Sequence, residues 1–132
     1  MSGESAKTEH VQVGGEMPDG TILAGYYKGK PLYATPKDAP GTYTFSEAAK
    51  YAKNLDAHSH RDWRVPTKAE LNILFDNREA IGGFNLTDSD HAGCYWSGSQ
   101  TSRGTAWGQR FSDGNRKNYN KGGIFLAVRC VR

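Results

Sequence analysis

The stretch of sequence that decides the fold lies at the middle of the chain and reads Asp62-Trp63-Arg64-Val65-Pro66-Thr67-Lys68-Ala69-Glu70-Leu71. Thr67 and Glu70 have the Thr-x-x-Glu spacing of a capping box, in which the two side chains bond free amides in the first turn of a helix. Pro66 disfavours helical backbone in the residue before it, so the helix cannot begin earlier. Leu71 and Leu74 then recur at helical spacing. The stretch therefore predicts a helix that begins after Thr67 and turns one apolar side toward a core.

A second helix with the same start signal precedes this one. Thr44 and Glu47 form another capping box. The residues that follow at one helical face are apolar and mostly small, namely Phe45, Ala48, Ala49 and Ala52. We expect this helix to end near Leu55, and we expect its alanine side to pack closely on a sheet.

The N-terminal part of the chain divides into two predicted regions. Residues 1–16 are polar and predict a flexible leader without a signal peptide. Two short apolar runs, at residues 21–27 and 30–35, flank Lys28-Gly29, a pattern typical of a β-hairpin. We interpret residues 17–39 as an N-terminal hairpin or attachment arm and residues 40–132 as the main domain.

After residue 90 the pattern changes from helical to extended. Residues 94–97, 106–111 and 124–131 predict strands, with turns at residues 98–104 and 112–115. Residues 115–123 are polar and predict a loop or ribbon. In the last predicted strand, Leu126, Val128 and Cys130 alternate onto one face. Two helices followed by antiparallel strands predict an α+β fold.

Three motifs carry a family resemblance. They are Trp63 to Leu71 of the stretch quoted above, Tyr95-Trp96-Ser97, and the final Val128-Arg129-Cys130-Val131-Arg132. With them the chain resembles the C-terminal domain of bacterial collagen-like adhesins, a domain of unknown function that is similar to the C-type-lectin-like fold. The resemblance covers residues 40–132 and implies two helices packed on a small antiparallel sheet, preceded here by the hairpin. One departure is Gly98, which stands where the family often has Ser or Thr and which loosens that strand end.

Seven residues in and around these motifs are expected to build the scaffold, namely Trp63, Arg64, Pro66, Thr67, Glu70, Trp96 and Trp107. Trp63 can fill the space between the two helices, and Arg64 can pair with a carboxylate while its stem packs. Trp107 and Phe111 share one side of their strand, which we interpret as a core side.

No motif indicates a metal, a cofactor or a catalytic centre. The calcium-binding tripeptides of sugar-binding lectins, Glu-Pro-Asn, Gln-Pro-Asp and Trp-Asn-Asp, do not occur. Asp88, Asp90 and Asp113 lack the spacing of a calcium loop, and His58 with His60 lacks a third ligand at zinc spacing. There is no phosphate-binding glycine loop and no recognised nucleophile signature. We therefore expect no cofactor and no enzymatic activity.

The two cysteines leave two interpretations open. Cys94 and Cys130 both lie on predicted strands of one small sheet. If these strands are neighbours and the two Cα atoms lie about 5–6 Å apart, the pair can form a disulfide. Otherwise both remain buried thiols that behave as small apolar side chains.

The candidate functional residues lie in the basic C-terminal part of the chain. Residues 1–100 carry 10 Lys and Arg against 13 Asp and Glu, whereas residues 101–132 carry seven against one, a net charge of +6. Polar loops in this part contain the residue types that adaptable recognition surfaces use. The predicted ligand-binding surface comprises Gln100, Ser102, Arg103, Asn115, Arg116, Asn118, Tyr119 and Asn120.

These features together favour a non-enzymatic binding or assembly module that recognises a protein or a glycan. The chain begins with Met and shows no signal peptide, so the expected setting is a phage virion, as a fibre tip or decoration protein. A secreted adhesin that binds a glycan is one alternative. The expected location is a virion or an extracellular surface, with no membrane span. The partners would be a cell-surface protein or glycan, or neighbouring virion subunits in a homo-oligomer.

A second alternative is binding of single-stranded nucleic acid through the basic C-terminal segment. Trp107, Phe111 and Tyr119 would then stack on bases while the Lys and Arg side chains contact phosphates. Nucleic acid is the less favoured partner.

Overall fold

The computed structural model describes residues 11–132, and this range contains two antiparallel sheets and several short helices. In chain order the elements are β1 (Ile22–Tyr27), β2 (Lys30–Ala34), α1 (Phe45–Asn54), α2 (Lys68–Asp76), α3 (Arg78–Ile81), β3 (Cys94–Gln100), β4 (Thr105–Arg110) and β5 (Arg116–Asn120). Strand β1 pairs with β2, and the second sheet has the order β3-β4-β5. The predicted α+β class is confirmed. Within the described range, no helix has the length and apolar content that crossing a membrane requires.

Both capping boxes form, and they set where α1 and α2 begin. At α1 the Thr44 hydroxyl accepts from the Glu47 amide at 3.3 Å, and the Glu47 carboxylate accepts from the Thr44 amide at 3.0 Å. At α2 the corresponding distances between Thr67 and Glu70 are 3.2 Å and 2.9 Å. The two helix starts predicted from the sequence are therefore confirmed.

Strand β3 separates two hydrophobic cores, because successive side chains of a strand point to opposite faces. Tyr95 belongs to the core that α2 covers with Leu71 and Leu74. Trp96 belongs to the other core, to which α1 contributes Ala52. The second sheet is thus covered by a short helix on each side.

The N-terminal hairpin packs as part of the main domain. Ala24, Leu32 and Ala34 are buried in the same core as the α2 leucines. At Gly25 in β1, a Cβ atom would lie 2.6 Å from a methyl carbon of Ile73 in α2. Glycine therefore allows β1 to approach the helix. Residues 17–39, predicted as a hairpin or attachment arm, contain the hairpin β1–β2.

Residues 11–17 extend the hairpin, although the sequence analysis assigns residues 1–16 to a flexible leader. The Gly14 amide donates to the Leu23 carbonyl at 2.7 Å, and the Met17 amide donates to the Thr21 carbonyl at 2.8 Å. These backbone bonds need no apolar side chain, so the polar composition of the segment did not reveal them. Residues 1–10, to which the leader prediction also applies, lie outside the described part of the chain.

The C-terminal segment corrects the prediction of a strand at residues 124–131. Leu126, Val128 and Cys130 do share one side, since all three lie in the α1 core. However, the segment forms only isolated bridges, to residues 34, 43, 64 and 95. Every residue from 126 to 131 is buried. The segment thus runs through the interior between the two cores, and no single neighbour accompanies it far enough to form a ladder.

Residues 115–123, predicted as a polar loop or ribbon, contain strand β5. Its residues pair with β4 from Thr105 opposite Asn120 to Gln109 opposite Arg116. A strand held by backbone bonds at a sheet edge needs no alternating apolar pattern, so its side chains gave no strand signal.

Candidate recognition surface

The predicted recognition residues lie on the second sheet, at its edge strand and at the turns between its strands. Strand β5 pairs with β4 on one side, and within residues 11–132 its other side has no strand partner. Tyr119 is half-buried. The other seven predicted residues are exposed, namely Gln100, Ser102, Arg103, Asn115, Arg116, Asn118 and Asn120.

At one end of the sheet, hydrogen bonds hold the turn between β3 and β4. The hydroxyls of Ser102 and Thr105 lie 2.7 Å apart. The Lys121 ammonium donates to the side-chain oxygen of Gln100 and, at 3.0 Å, to the carbonyl of Arg103. Because Lys121 follows β5 directly, the turn and the end of the edge strand form one unit.

Along β5 the side chains alternate between the two faces of the sheet. Arg116, Asn118 and Asn120 lie on the face that carries Trp107, since Trp107 and Asn118 are directly paired. The Lys68 ammonium lies 3.6 Å from the centre of the Trp107 ring. Around Trp107 this face is thus polar and basic, and the Lys68 ammonium covers the Trp107 ring.

Trp107 corrects the prediction that it shares a core side with Phe111. Phe111 is fully buried and packs edge-on against Phe75 of α2, with 5.6 Å between ring centres. Trp107 is half-buried and belongs to neither core. The two residues do lie on the same side of the chain, but α2 covers only the Phe111 end of it. At the other end, Lys68 from the first turn of α2 lies over the Trp107 ring.

Tyr119, which was predicted as part of the ligand-binding surface, is half-buried and packs inward. Its ring lies edge-on to Trp96 at 6.2 Å, and its hydroxyl lies 3.5 Å from the sulfur of Cys94. Gly108 in the neighbouring β4 makes room for it, because a Cβ atom there would lie 2.9 Å from the Tyr119 ring. A sequence signal for the inward packing was present, because Tyr119 is an aromatic residue between two polar residues, Asn118 and Asn120, and alternate residues of a strand face opposite sides.

The surface carries a positive charge because its cations outnumber its carboxylates. Arg103, Arg116 and Lys117 are exposed, and none of them forms a salt bridge within residues 11–132. Arg110 is neutralised by Asp113, with 2.6 Å between Nη2 and Oδ2. This bond, together with one from the Asn115 amide, lowers the pKa of Asp113 to about 2.

Part of the C-terminal charge lies elsewhere in the molecule. Arg129 is fully buried and pairs with Asp38, and Arg132 pairs with Asp62 at 2.6 Å. The net charge of +6 counted along residues 101–132 therefore overstates the charge of the sheet edge.

Both cysteines are free and buried in the α1 core. Burial raises the pKa of the Cys130 thiol to about 12, against the opposing effect of Arg129. The sequence leaves open a disulfide or two buried thiols, and in the structure Cys94 and Cys130 are buried thiols.

Other predicted scaffold residues are buried or hydrogen-bonded within the domain. The indole nitrogens of Trp63 and Trp96 donate to backbone carbonyls at 3.1 Å and 2.7 Å, and Pro66 is buried. Arg64 donates to both carboxylate oxygens of Glu70, at 2.5 Å and 2.8 Å. Although burial raises the pKa of Glu70, bonds from Arg64 and from the capping box lower it overall.

His58 and His60 lie beside Trp63. His60 Nε2 is 2.7 Å from a carboxylate oxygen of Asp19, and both His58 and His60 lie edge-on to Trp63. In the part of the chain that the structure describes, no three His, Cys, Asp or Glu side chains come together as metal ligands would.

The sequence analysis missed a groove beside α1. Its volume is about 520 Å³, and its walls are one side of α1, residues 61–65 and the end of β3. Ala49 was the available signal, because the helical pattern assigns it to the packed side while the structure leaves it exposed.

Comparison with protein families gives a match over most of the chain. The family described as the Lcl C-terminal domain, from Legionella collagen-like (Lcl) proteins, matches residues 23–132. No curated protein matches the chain. The matched range includes nearly all of the hairpin, in agreement with its place in the core. It lends no support to the predicted phage virion setting.

Proposed function

This chain belongs to the Lcl C-terminal domain family, which is found in adhesin-like collagen-like proteins, and we propose that it is a non-enzymatic module that binds an acidic glycan. The observation that carries the proposal is the exposure of Arg103, Arg116 and Lys117 at the sheet edge without carboxylate partners in the described residues. Carboxylate or sulfate groups of a glycan would supply that negative charge. The amides of Asn118 and Asn120 would bond its hydroxyl groups.

The non-enzymatic part of the proposal rests on how the nucleophilic side chains are held. Catalysis would be favoured by a pocket that gathers Cys94, His91 and an acid. Cys94 is instead buried beside the hydroxyl of Tyr119, and His91 packs edge-on against the same ring at 5.8 Å. A thiol enclosed in this way is poorly placed to attack a substrate.

Single-stranded nucleic acid is the competing ligand, because the same cations would attract phosphates. Base stacking is the other requirement for such binding. Phe111 and Tyr119 are packed inward, and the Lys68 ammonium covers Trp107. None of the three rings considered for stacking is free, which favours the glycan.

Binding measured by thermophoresis with labelled dextran sulfate, neutral dextran and a single-stranded oligonucleotide tests the proposal. Dextran sulfate should bind with an affinity that falls as salt rises, and neutral dextran should not bind. Replacing Arg116 and Lys117 by Ser should weaken dextran sulfate binding about tenfold, since two of the attracting charges are lost.

The matched control replaces two exposed lysines outside the surface, Lys37 and Lys50, by Ser. It should bind dextran sulfate as the unaltered protein does. Equal weakening in both double variants, or stronger binding of the oligonucleotide than of dextran sulfate, would contradict the glycan proposal.

We further propose that the module acts on an extracellular surface as a homo-oligomer, because several copies strengthen weak surface binding by avidity. Light scattering coupled to size exclusion tests this. A mass that stays at that of one chain over a hundredfold range of about micromolar to submillimolar concentrations would count against the oligomer.

A further inference from the structure

The groove of about 520 Å³ lies between a helix wall and an extended wall. The helix wall is one stripe of α1, formed by Phe45, Ala48, Ala49 and Lys53. These residues span eight steps along the helix, so the wall is about 12 Å long. The facing wall is residues 61–65, and Ser97, Gly98 and Gln100 of β3 line one end.

The extended wall has one occupied edge and one free edge. Arg64 makes both of its backbone bonds with Val131, each at 2.9 Å. In an extended chain, Trp63 and Val65 turn their backbone groups to the side opposite those of Arg64. Within residues 11–132, the amides of Trp63 and Val65 donate no hydrogen bond. Backbone donors beside a groove of this kind are what peptide binding by strand addition uses.

The surface of the groove is apolar at its floor and basic at its rim. Ala49 is exposed, and Phe45 and Val65 are half-buried, so small apolar side chains can be covered there. At the rim, Arg61 pairs only with the exposed Asp56, at 3.2 Å.

Lys53 is the cation at the rim whose charge is not neutralised by a carboxylate of the described residues. Across residues 11–132 it forms no salt bridge. The acidic lining residue Asp62 is already paired with Arg132 at 2.6 Å. A ligand with a negative charge therefore complements this groove.

We propose that the groove binds a short acidic peptide, in extended conformation, as a strand added to residues 61–65. Four extended residues span about 13 Å, close to the length of the helix wall. Small apolar side chains of the peptide lie on the floor, and an acidic side chain meets Lys53 and Arg61. The peptide belongs to a protein partner, and of the predicted recognition residues only Gln100 also lines this groove.

A selection from a displayed library of random octapeptides tests the proposal on the whole chain. The unaltered protein is the target, and the variant Ala49→Trp, which fills the groove, is used for counter-selection. Lys50→Trp is the matched control, since Lys50 is the next residue of α1, is also exposed and does not line the groove. Enriched peptides should be acidic and should bind Ala49→Trp about tenfold more weakly than Lys50→Trp.

Charge and backbone bonding are tested with the most enriched peptide. Lys53→Glu should weaken its binding about fivefold, and Lys50→Glu should not. On binding, the amide hydrogens of Trp63 and Val65 should become protected from exchange with solvent, while that of Arg64 changes little because it is already bonded.

The proposal is overturned if no peptide distinguishes the unaltered protein from Ala49→Trp. It is also overturned if the enriched peptides are basic, or if they bind while the Trp63 and Val65 amides still exchange freely. A failure of dextran sulfate to bind would leave this result unaffected, because that probe reports on the sheet edge.

Discussion

At the scale of single residues, Arg129 is a fully buried charge that joins distant parts of the chain. Its guanidinium donates to the carbonyls of Thr35 at 2.6 Å and Gly82 at 2.9 Å, and to the carboxylate of Asp38 at 3.2 Å. It also lies 4.2 Å from the ring centre of Phe84. A charge without water is stable only when its donors are satisfied in this way.

Replacement of Arg129 by Leu is expected to lower the free energy of unfolding by about 3–5 kcal/mol. Asp38 would lose one of its donors, and the carbonyls of Thr35 and Gly82 would lose the donor that Arg129 supplies. Urea unfolding followed by tryptophan fluorescence measures the change. Arg116→Leu, at an exposed position, is the control and should shift stability by no more than about 0.5 kcal/mol. Similar effects of the two substitutions would show that burial of Arg129 is unimportant.

Asp19 is expected to make the fold sensitive to acid. Partial burial raises the pKa of Asp19, but bonds from the hydroxyl and amide of Thr21 and from His60 outweigh this and lower it from 3.8 to about 2. The unfolded chain therefore binds the proton more tightly than the folded protein. The stabilisation is present above pH 3.8 and is lost as the pH falls toward about 2.

The free energy of unfolding of the Asp19→Asn variant, measured across this acid range and compared with that of the unaltered protein, tests this expectation. This variant should be less stable than the unaltered protein above pH 3.8, by roughly 1 kcal/mol because the site is partly open to solvent. The difference should shrink as the pH falls. Asp90→Asn serves as control, since Asp90 is exposed. A difference that stays constant with pH would contradict the prediction.

At the scale of elements, the two helices begin with the same capping box but in different surroundings. Glu47 is exposed and serves only the start of α1. Glu70 is buried, with 5% of its surface exposed, and it also accepts two bonds from Arg64. The capping glutamate of α2 therefore makes more hydrogen bonds, and makes them at a buried position.

Substitution of each capping glutamate by Ala compares the two helices directly. Glu47→Ala should cost about 0.5–1 kcal/mol of unfolding free energy, as loss of one exposed cap bond does. Glu70→Ala should cost about 3 kcal/mol, because it removes a buried side chain and also leaves Arg64 without its acceptor. Chemical denaturation of both variants gives the comparison, and equal costs would contradict the assigned role of the Arg64–Glu70 pair.

At the scale of the whole molecule, the hairpin, the helices and the second sheet are held together by shared cores. The core covered by α2 contains Ala24 and Leu32 of the hairpin together with Tyr95 of β3. The C-terminal segment bridges to residues 34, 43, 64 and 95, which are spread over half of the chain. We therefore expect one cooperative unfolding transition.

Removal of residues 1–39 tests this cooperativity. The fragment should lose the sharp urea transition, because the apolar surface of α2 that the hairpin covers would meet water. Tyr26→Ser in the whole chain is the control, since Tyr26 is 55% exposed on the hairpin and its loss uncovers no core. A fragment that unfolds at the same urea concentration as the whole chain would restore the interpretation of this region as a separate arm.

Local signals in the sequence were sufficient where neighbouring residues create the structure. The starts of α1 and α2 follow from two side chains three positions apart, and the hairpin follows from a turn between two apolar runs. Such features form from contacts within a few residues, so their surroundings cannot easily reverse them.

The residues that the sequence describes least well are those whose environment depends on distant parts of the chain. Trp107 and Phe111 have the same periodicity, and the position of α2 leaves one half-buried and the other fully buried. Tyr119 reads as a surface residue until Gly108 of the neighbouring strand is seen to make room for it. The groove beside Ala49 likewise exists only because residues 61–65 lie across from α1.

The sequence by itself determined the family, the α+β class, the two capped helices and the basic character of the C-terminal part. Only the tertiary structure decided which cations remain exposed, which aromatic rings are covered, and that residues 126–131 run through the interior instead of forming a strand. The physical reason is range. Capping and hairpin formation depend on neighbours in sequence, whereas burial, charge pairing and free strand edges depend on which distant segments meet.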